Sequence, residues 1–326
     1  MSTTKPISRI AIIGTGVIGA SWATLFLAKG LDVVATDIAP DAETSLRRFV
    51  KTAWPAVERL GLVSGASQSR LTFTTDLLAA VRGADFVQEN GPERIDFKKK
   101  LYRQLDEVLP ADVIVASSSS GLTMSEIQSD CPSHPDRCVI GHPFNPPHLV
   151  PLVEIVGGAK TSEVTIERAA AFYTGLGKQA VRLRKEVPGH VANRLQAALA
   201  REVYYLVAED VVSVADVDKA LCWGPGLRWG IMGQVLLNHL GGGQGGIEHF
   251  FDQFTKPMTA WWKTLGSPEL TPEVKGKLID GLHSEVGSRS ISDLEAQRDD
   301  ILLGLLELRS KYEKPLPATK RAARAV

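Results

Sequence analysis

The sharpest chemical signal in this sequence is a pair, His142 within Gly141-His142-Pro143-Phe144-Asn145-Pro146-Pro147 and Glu154 as a lone carboxylate in the otherwise apolar run 149–156. A glutamate buried in such a run would be neutralised by desolvation unless a charged or hydrogen-bonding group stood beside it. His142 supplies that group if its strand lies next to the one carrying Glu154. The carboxylate would then hold one ring nitrogen and raise the basicity of the other, which is the arrangement of a general base. Taken alone, the histidine reads more readily as a satisfied structural residue; the pairing gives it chemistry.

A second constellation lies near the start. Gly14-Thr15-Gly16-Val17-Ile18-Gly19 follows a short apolar run and opens a helical pattern. In that context the spacing signals a dinucleotide site. Gly14 permits the tight turn, Gly16 lets the backbone approach a pyrophosphate, and Gly19 lets the helix lie close to the sheet. Val17 and Ile18 stand at the helix N-terminus, where backbone N–H groups and the helix dipole favour phosphate. Asp37 ends the next strand, where a carboxylate accepts hydrogen bonds from ribose hydroxyls and repels a 2′-phosphate. The cofactor expected is therefore NAD, although Arg47 and Arg48 could serve a 2′-phosphate.

The elements that must hold these groups are legible in the pattern. Expected strands at 9–13, 32–36, 71–74, 85–88, 113–117, 138–142, 152–156 and 179–184 are interleaved with helical stretches at 18–29, 42–59 and 95–108. This alternation predicts an α/β fold, a Rossmann-type, mostly parallel sheet. After Pro188 strand-like alternation stops, and 191–212 reads as one long helix. We therefore expect an NAD-binding domain over 1–188, an all-α C-terminal domain over 189–315 for substrate and dimer contacts, and a disordered basic tail over 316–326. The last helical stretch, 292–312, has an apolar face broader than one stripe. Packing within the domain and burial against a second subunit explain it equally well.

Bulk properties narrow the function. The 326 residues exceed what one core usually supports, and 37 basic residues balance 37 acidic ones, giving no electrostatic footprint for nucleic acid or anionic lipid. Three cysteines, Cys131, Cys138 and Cys222, fit neither a disulfide framework nor a zinc site, so no metal is expected and a reducing, cytoplasmic setting is. No stretch reads as a signal peptide or a bilayer span. The expected partner is a small molecule.

In order and spacing, the glycine loop, Ser117-Ser118-Ser119-Ser120-Gly121-Leu122, the His142 motif, Glu154 and Pro188-Gly189-His190-Val191-Ala192-Asn193-Arg194 resemble the 3-hydroxyacyl-CoA dehydrogenase family. The resemblance implies a base at His142, its partner at Glu154, substrate-oxygen donors at Ser120 and Asn193, and cofactor contacts from Glu93 and Lys98. Read without it, the serines make a polar turn and Asn193 bonds its own helix start. Likewise, Glu93 favours a helix N-terminus, and Lys98 with Lys99 and Lys100 forms a solvated face.

The C-terminal half departs from the acyl-CoA enzymes. It carries Trp223-Gly224-Pro225-Gly226-Leu227-Arg228-Trp229, and the stretch between 53 and 71 holds no basic cluster for a CoA phosphate. The stretch from Lys185-Glu186-Val187-Pro188-Gly189 through Gly226-Leu227-Arg228-Trp229, and the ending Ser288-Arg289-Ser290-Ile291-Ser292-Asp293-Leu294-Glu295 with Arg298-Asp299-Asp300, resemble a branch of the superfamily acting on a small 3-hydroxy acid whose far end is a quaternary ammonium. Such a cation donates no hydrogen bonds and is held by aromatic faces. Phe144, Asn145, Trp223 and Trp229 are candidates for substrate contact, with Arg228 for the carboxylate. The alternatives are a dehydrogenase of the L-gulonate or lambda-crystallin kind, a short-chain 3-hydroxyacyl-CoA enzyme, or a structural protein that binds NAD without catalysis.

Overall fold

The computed structural model describes residues 6–312; the basic tail expected from 316 lies outside the described residues. Eight strands, β1 (Arg9–Ile13), β2 (Asp32–Thr36), β3 (Leu71–Thr74), β4 (Phe86–Glu89), β5 (Ile114–Ser117), β6 (Cys138–Pro143), β7 (Leu152–Gly157) and β8 (Gln179–Arg182), form one sheet. Helices α1 (Val17–Ala28), α2 (Ala42–Leu60), α3 (Leu77–Val81), α4 (Ile95–Val108), α5 (Met124–Ile127) and α6 (Glu163–Gly175) lie between them. Seven more follow: α7 (Ala192–Ala208), α8 (Val214–Trp223), α9 (Pro225–Trp229), α10 (Gln234–Gly241), α11 (Gly246–Trp262), α12 (Pro272–Val286) and α13 (Ile291–Tyr312).

The strand order is β3-β2-β1-β4-β5-β6-β7-β8. Strands β1 to β6 run parallel, β7 turns back antiparallel to β6, and β8 runs parallel to β7. The expected α/β class with a mostly parallel Rossmann-type sheet and a helical C-terminal part is what forms. The order of strands across the sheet reverses between β1 and β4, the topology that places a ligand crevice at the carboxyl ends of the strands.

Both faces of the sheet are covered, which is why its strands read as apolar runs rather than alternating ones. In β1, Ile10 and Ile12 join the core under α1, α2 and α6, while Ala11 and Ile13 join the core under α3, α4 and α5. α1 is buried almost throughout, with Trp22, Phe26 and Leu27 fully enclosed. Tyr173 of α6 donates to Gln88 of β4 at 2.6 Å. Its ring fills the space above Gly141, where a Cβ would lie 2.2 Å from the tyrosine oxygen.

The long helix expected over 191–212 stops early. Asp210 adopts a left-handed conformation (φ 55), and Val211 N–H bonds back to the Leu206 carbonyl at 2.9 Å, which closes α7. Ser213 then accepts from Asp216 N–H at 3.1 Å and starts α8.

The described chain forms two compact units, 6–194 with 297–310, and 195–296 with 311–312. In the first, the Arg59 guanidinium of α2 bridges Asp300 and Glu307 of α13 at 2.7 and 2.5 Å, and Leu303 is buried. In the second, α8 packs on α12, where Gly281 lies against Val214. Of the apolar side chains in 195–296 other than glycine, only Val207 and Val217 are buried. No described helix is long and apolar enough to cross a membrane.

Because the tyrosine leaves no room at position 141, Gly141→Ala should destabilise the protein by about 1–3 kcal/mol, the usual cost of overpacking. Urea unfolding measures this; an unchanged midpoint would mean that Tyr173 does not seat on β6.

Candidate active site

The antiparallel register of β6 and β7 places His142 directly opposite Glu154. Side chains opposite one another share a face of the sheet, so both point to the same side at the carboxyl end of β6. His142 Nδ1 lies 2.9 Å from Glu154 Oε2, with side-chain exposures of 5% and 1%. The other carboxylate oxygen, Oε1, accepts the backbone N–H groups of Val191 and Ala192 at 2.8 and 3.1 Å. Glu154 thus binds the imidazole on one side and the start of α7 on the other. Burial pulls its pKa upward; the bonds from His142, Val191 and Ala192 outweigh that and hold it below the usual glutamate value. An ionised acceptor at Nδ1 favours the tautomer protonated there, which leaves Nε2 with its lone pair.

A second carboxylate shapes the serine loop after β5. Glu93 Oε1 accepts from Ser119 Oγ at 2.6 Å and from the N–H groups of Ser120, Gly121 and Leu122 at 3.0, 2.9 and 3.3 Å. Burial raises its pKa, and these bonds with the Lys98 charge bring it below the usual value. Asn193 Nδ2 donates to the Ser120 carbonyl at 3.3 Å, so Ser120 and Asn193 lie together. Ser120 is exposed and Asn193 half-buried.

Lys98 is not on a solvated face. It is 1% exposed, and its ammonium donates to both oxygens of fully buried Glu89 at 2.7 and 2.9 Å. Ser117 Oγ donates to the same carboxylate at 2.6 Å. Glu93 Oε2 lies 3.8 Å from the ammonium. Lys98 therefore carries the charge that lets two carboxylates gather under the crevice.

The residues around the glycine loop fit a dinucleotide. Gly14 has φ 84, and a Cβ there would strike the Asn90 carbonyl at 2.7 Å. At Gly19 a Cβ would lie 1.9 Å from the Gly14 carbonyl. Gly16, by contrast, faces open space, and no side chain caps the first turn of α1, where Val17 and Ile18 stand. Asp37 accepts from Thr15 N–H and Oγ at 2.7 and 3.0 Å and from Ala39 N–H at 3.0 Å. Burial raises its pKa, but these bonds hold it below the usual aspartate value, so a negative charge stands at the end of β2.

Phe144 and Asn145 follow β6 directly, one half-buried and the other exposed. Trp223, Arg228 and Trp229 belong to the second unit; Trp223 is 77% exposed, Arg228 is exposed, and Trp229 donates to Gln234 at 2.6 Å. Three groups at the site escaped the sequence reading. Glu89 closes a buried strand, and an acid there signals a hidden cation. Ser118 Oγ donates to Asn90 at 2.7 Å and accepts from Gln88 at 2.9 Å, with no signal beyond the serine run. His190 stands within a recognised motif but received no role; its imidazole lies 5.1 Å from that of His142.

Residues 9–187 match the 3-hydroxyacyl-CoA dehydrogenase NAD binding domain, and residues 189–277 match the C-terminal domain of the same family. The chain belongs to the 3-hydroxyacyl-CoA dehydrogenase family and is an NAD-dependent oxidoreductase. It is 47% identical over 302 residues to the L-carnitine dehydrogenase of Streptomyces griseus, covering 93% of this chain and 90% of that protein. With the L-carnitine dehydrogenase of a Pseudomonas species it shares 48% identity over 301 residues, 92% of this chain and 94% of the relative. Among solved structures, a 5-formyl-3-hydroxy-2-methylpyridine 4-carboxylic acid 5-dehydrogenase, described as an NAD+ dependent dismutase, superposes with a TM-score of 0.80 at 31% identity. That match covers 94% of this chain and 99% of the other. The (S)-3-hydroxybutyryl-CoA dehydrogenase of Ralstonia eutropha gives 0.61 at 27% identity, over 68% and 78% of the two chains.

Lys98→Met would leave Glu89 buried without its counter-charge and should cost about 3–5 kcal/mol of stability. A surface lysine would cost no more than about 0.5 kcal/mol. Chemical denaturation distinguishes the two, and the smaller value would contradict the buried pair.

Proposed function

We propose that the protein oxidises the 3-hydroxyl of a small 3-hydroxy acid, L-carnitine to 3-dehydrocarnitine, with His142 as general base and Glu154 as its partner. The observation that carries the mechanism is the 2.9 Å contact between His142 Nδ1 and a carboxylate tied to a helix start. NAD+ bound at the glycine loop supplies the hydride acceptor. His142 Nε2 takes the hydroxyl proton as the carbon loses its hydride, so the alcohol becomes a ketone and one proton stays on the imidazole. Glu154, already ionised, steadies the imidazolium that forms. Ser120 and Asn193 hold and polarise the substrate oxygen. In the reverse direction His142 is the acid.

The choice of carnitine is supported by the likeness to L-carnitine dehydrogenases over more than nine-tenths of the chain. Chemistry agrees with it: the substrate carries a quaternary ammonium, which aromatic faces hold, and Phe144 directly after β6 offers such a face. Glu93 and Lys98 act on the cofactor side by shaping the loop beneath it. The cysteine usage supports a cytoplasmic setting.

We also assign the protein as a homodimer through its C-terminal helices. A stretch of 102 residues, 195–296, that buries only two apolar side chains other than glycine leaves Leu195, Val235 and Trp262 more than 60% exposed. Such a surface calls for a partner, and a second copy buries it symmetrically. Sedimentation should give twice the chain mass; a monomer at micromolar concentration would refute this.

With NAD+, NADH should form with L-carnitine and not with hydroxybutyryl-CoA or L-gulonate. Turnover of either competitor in preference to carnitine would overturn the substrate assignment. His142→Gln should lower the rate by about 10² to 10⁴-fold. Because Glu154 is held below the usual glutamate value, it keeps its charge on mild acidification. Oxidation should therefore fall on acidification, as the imidazolium cannot accept a proton. A pH-independent rate, or a His142→Gln variant near full activity, would rule out the base.

A further inference from the structure

We propose that His190 is a positioning residue for the reaction, locking the oxygen-binding loop and the catalytic base into one frame. It deepens the reading above and rests on His142 being the base. The argument begins with the backbone. His190 has φ 50, a left-handed conformation that a side chain rarely adopts, directly after Gly189 with φ 75. Two left-handed residues in succession turn the chain so that the next two N–H groups, of Val191 and Ala192, meet Glu154 Oε1.

The His190 side chain points the other way along the site. Its Nε2 donates to the Ser119 carbonyl at 3.0 Å, and its ring lies against that of His142 with an interplanar angle of 49°. Asn193, one helical turn on, donates to the neighbouring Ser120 carbonyl. The serine loop is therefore held twice: Glu93 gathers its N–H groups, and His190 with Asn193 takes its carbonyls. His190 also lies against the base, with the two ring centroids 5.1 Å apart.

The ring must be neutral for this. It is 2% exposed, and among the described residues its Nδ1 has no hydrogen-bond partner. Protonating Nδ1 would create a buried N–H with no acceptor. Charged and titratable groups face it from three sides. His142 disfavours its charge, while Glu154 and Glu93 favour it, and burial outweighs them, so its pKa lies below the ordinary histidine value. A neutral neighbour does not repel the imidazolium that His142 becomes during oxidation. The fixed Nε2–H keeps Ser120 at a set distance from the base, and small displacements of such groups cost about 10²-fold in rate.

The test compares two replacements in the full-length protein, with L-carnitine and NAD+ as substrates. His190→Phe keeps a planar ring and loses the donor; His190→Gln keeps an amide N–H near the Nε2 position and loses the ring. We expect His190→Phe to lower kcat by about 10²-fold with little change in the carnitine KM or in NADH affinity measured by fluorescence, and His190→Gln to recover most of the loss. Full activity in His190→Phe, or a larger loss in His190→Gln than in His190→Phe, would show that the ring only fills space and would overturn the proposal. So would loss of NADH affinity in both variants in parallel with kcat. His142→Gln is measured alongside: if it is inactive while His190→Phe is unchanged, this inference fails alone, and if it retains activity, the base assignment falls and takes this inference with it.

Discussion

A carboxylate that must stay charged out of water governs the layout of the site. Glu154 is 1% exposed, and an ion so placed is tolerated only when its lone pairs are occupied and its charge is offset. Two backbone N–H groups at the start of α7 and one imidazole N–H meet that demand. Each is there for a structural reason. The imidazole is supplied by an antiparallel pairing at one side of an otherwise parallel run, which sets two residues face to face. The N–H groups are supplied by a left-handed turn at 189–190 that points the helix start at the sheet. The proton demanded at Nδ1 frees Nε2, so the electrostatic solution for the acid is also what prepares the base.

The same logic recurs one strand over. Glu89, fully buried, is answered by Lys98, and Lys98 in turn draws Glu93 toward the crevice, where its other oxygen gathers the loop after β5. Two carboxylates with different partners, buried Glu154 and more exposed Glu93, thus build the two walls of the site. One orients an imidazole, and the other fixes a loop whose Ser120 lies beside Asn193. The crevice itself follows from the strand order, since β1 and β4 are neighbours whose following connections run to opposite faces of the sheet.

Most of this was legible from residue type and spacing. The strand containing His142 and the one containing Glu154 stand out as apolar runs, and a lone acid among Leu152, Val153, Ile155 and Val156 already calls for a partner. The glycine loop and Asp37 announce themselves by spacing. What was not legible depends on burial that spacing does not encode. Lys98 follows the pattern of a charged helix face, with Lys99 and Lys100 beside it, yet it turns inward to pair with buried Glu89. His190 precedes a helix at a place that spacing does not mark, and its left-handed backbone and its reach to Ser119 appear with the fold. The end of α7 was misjudged because Asp210 and Ser213, short polar residues with unremarkable spacing, end one helix and begin another.

The account depends on which nitrogen of His142 carries the proton. Nitrogen-15 NMR of histidine-labelled protein at neutral pH reads this directly. The prediction is a neutral His142 ring protonated at Nδ1, with that proton shifted far downfield by its carboxylate acceptor and the shift lost in Glu154→Ala. A ring protonated at Nε2, or one whose signals ignore the loss of Glu154, would contradict it.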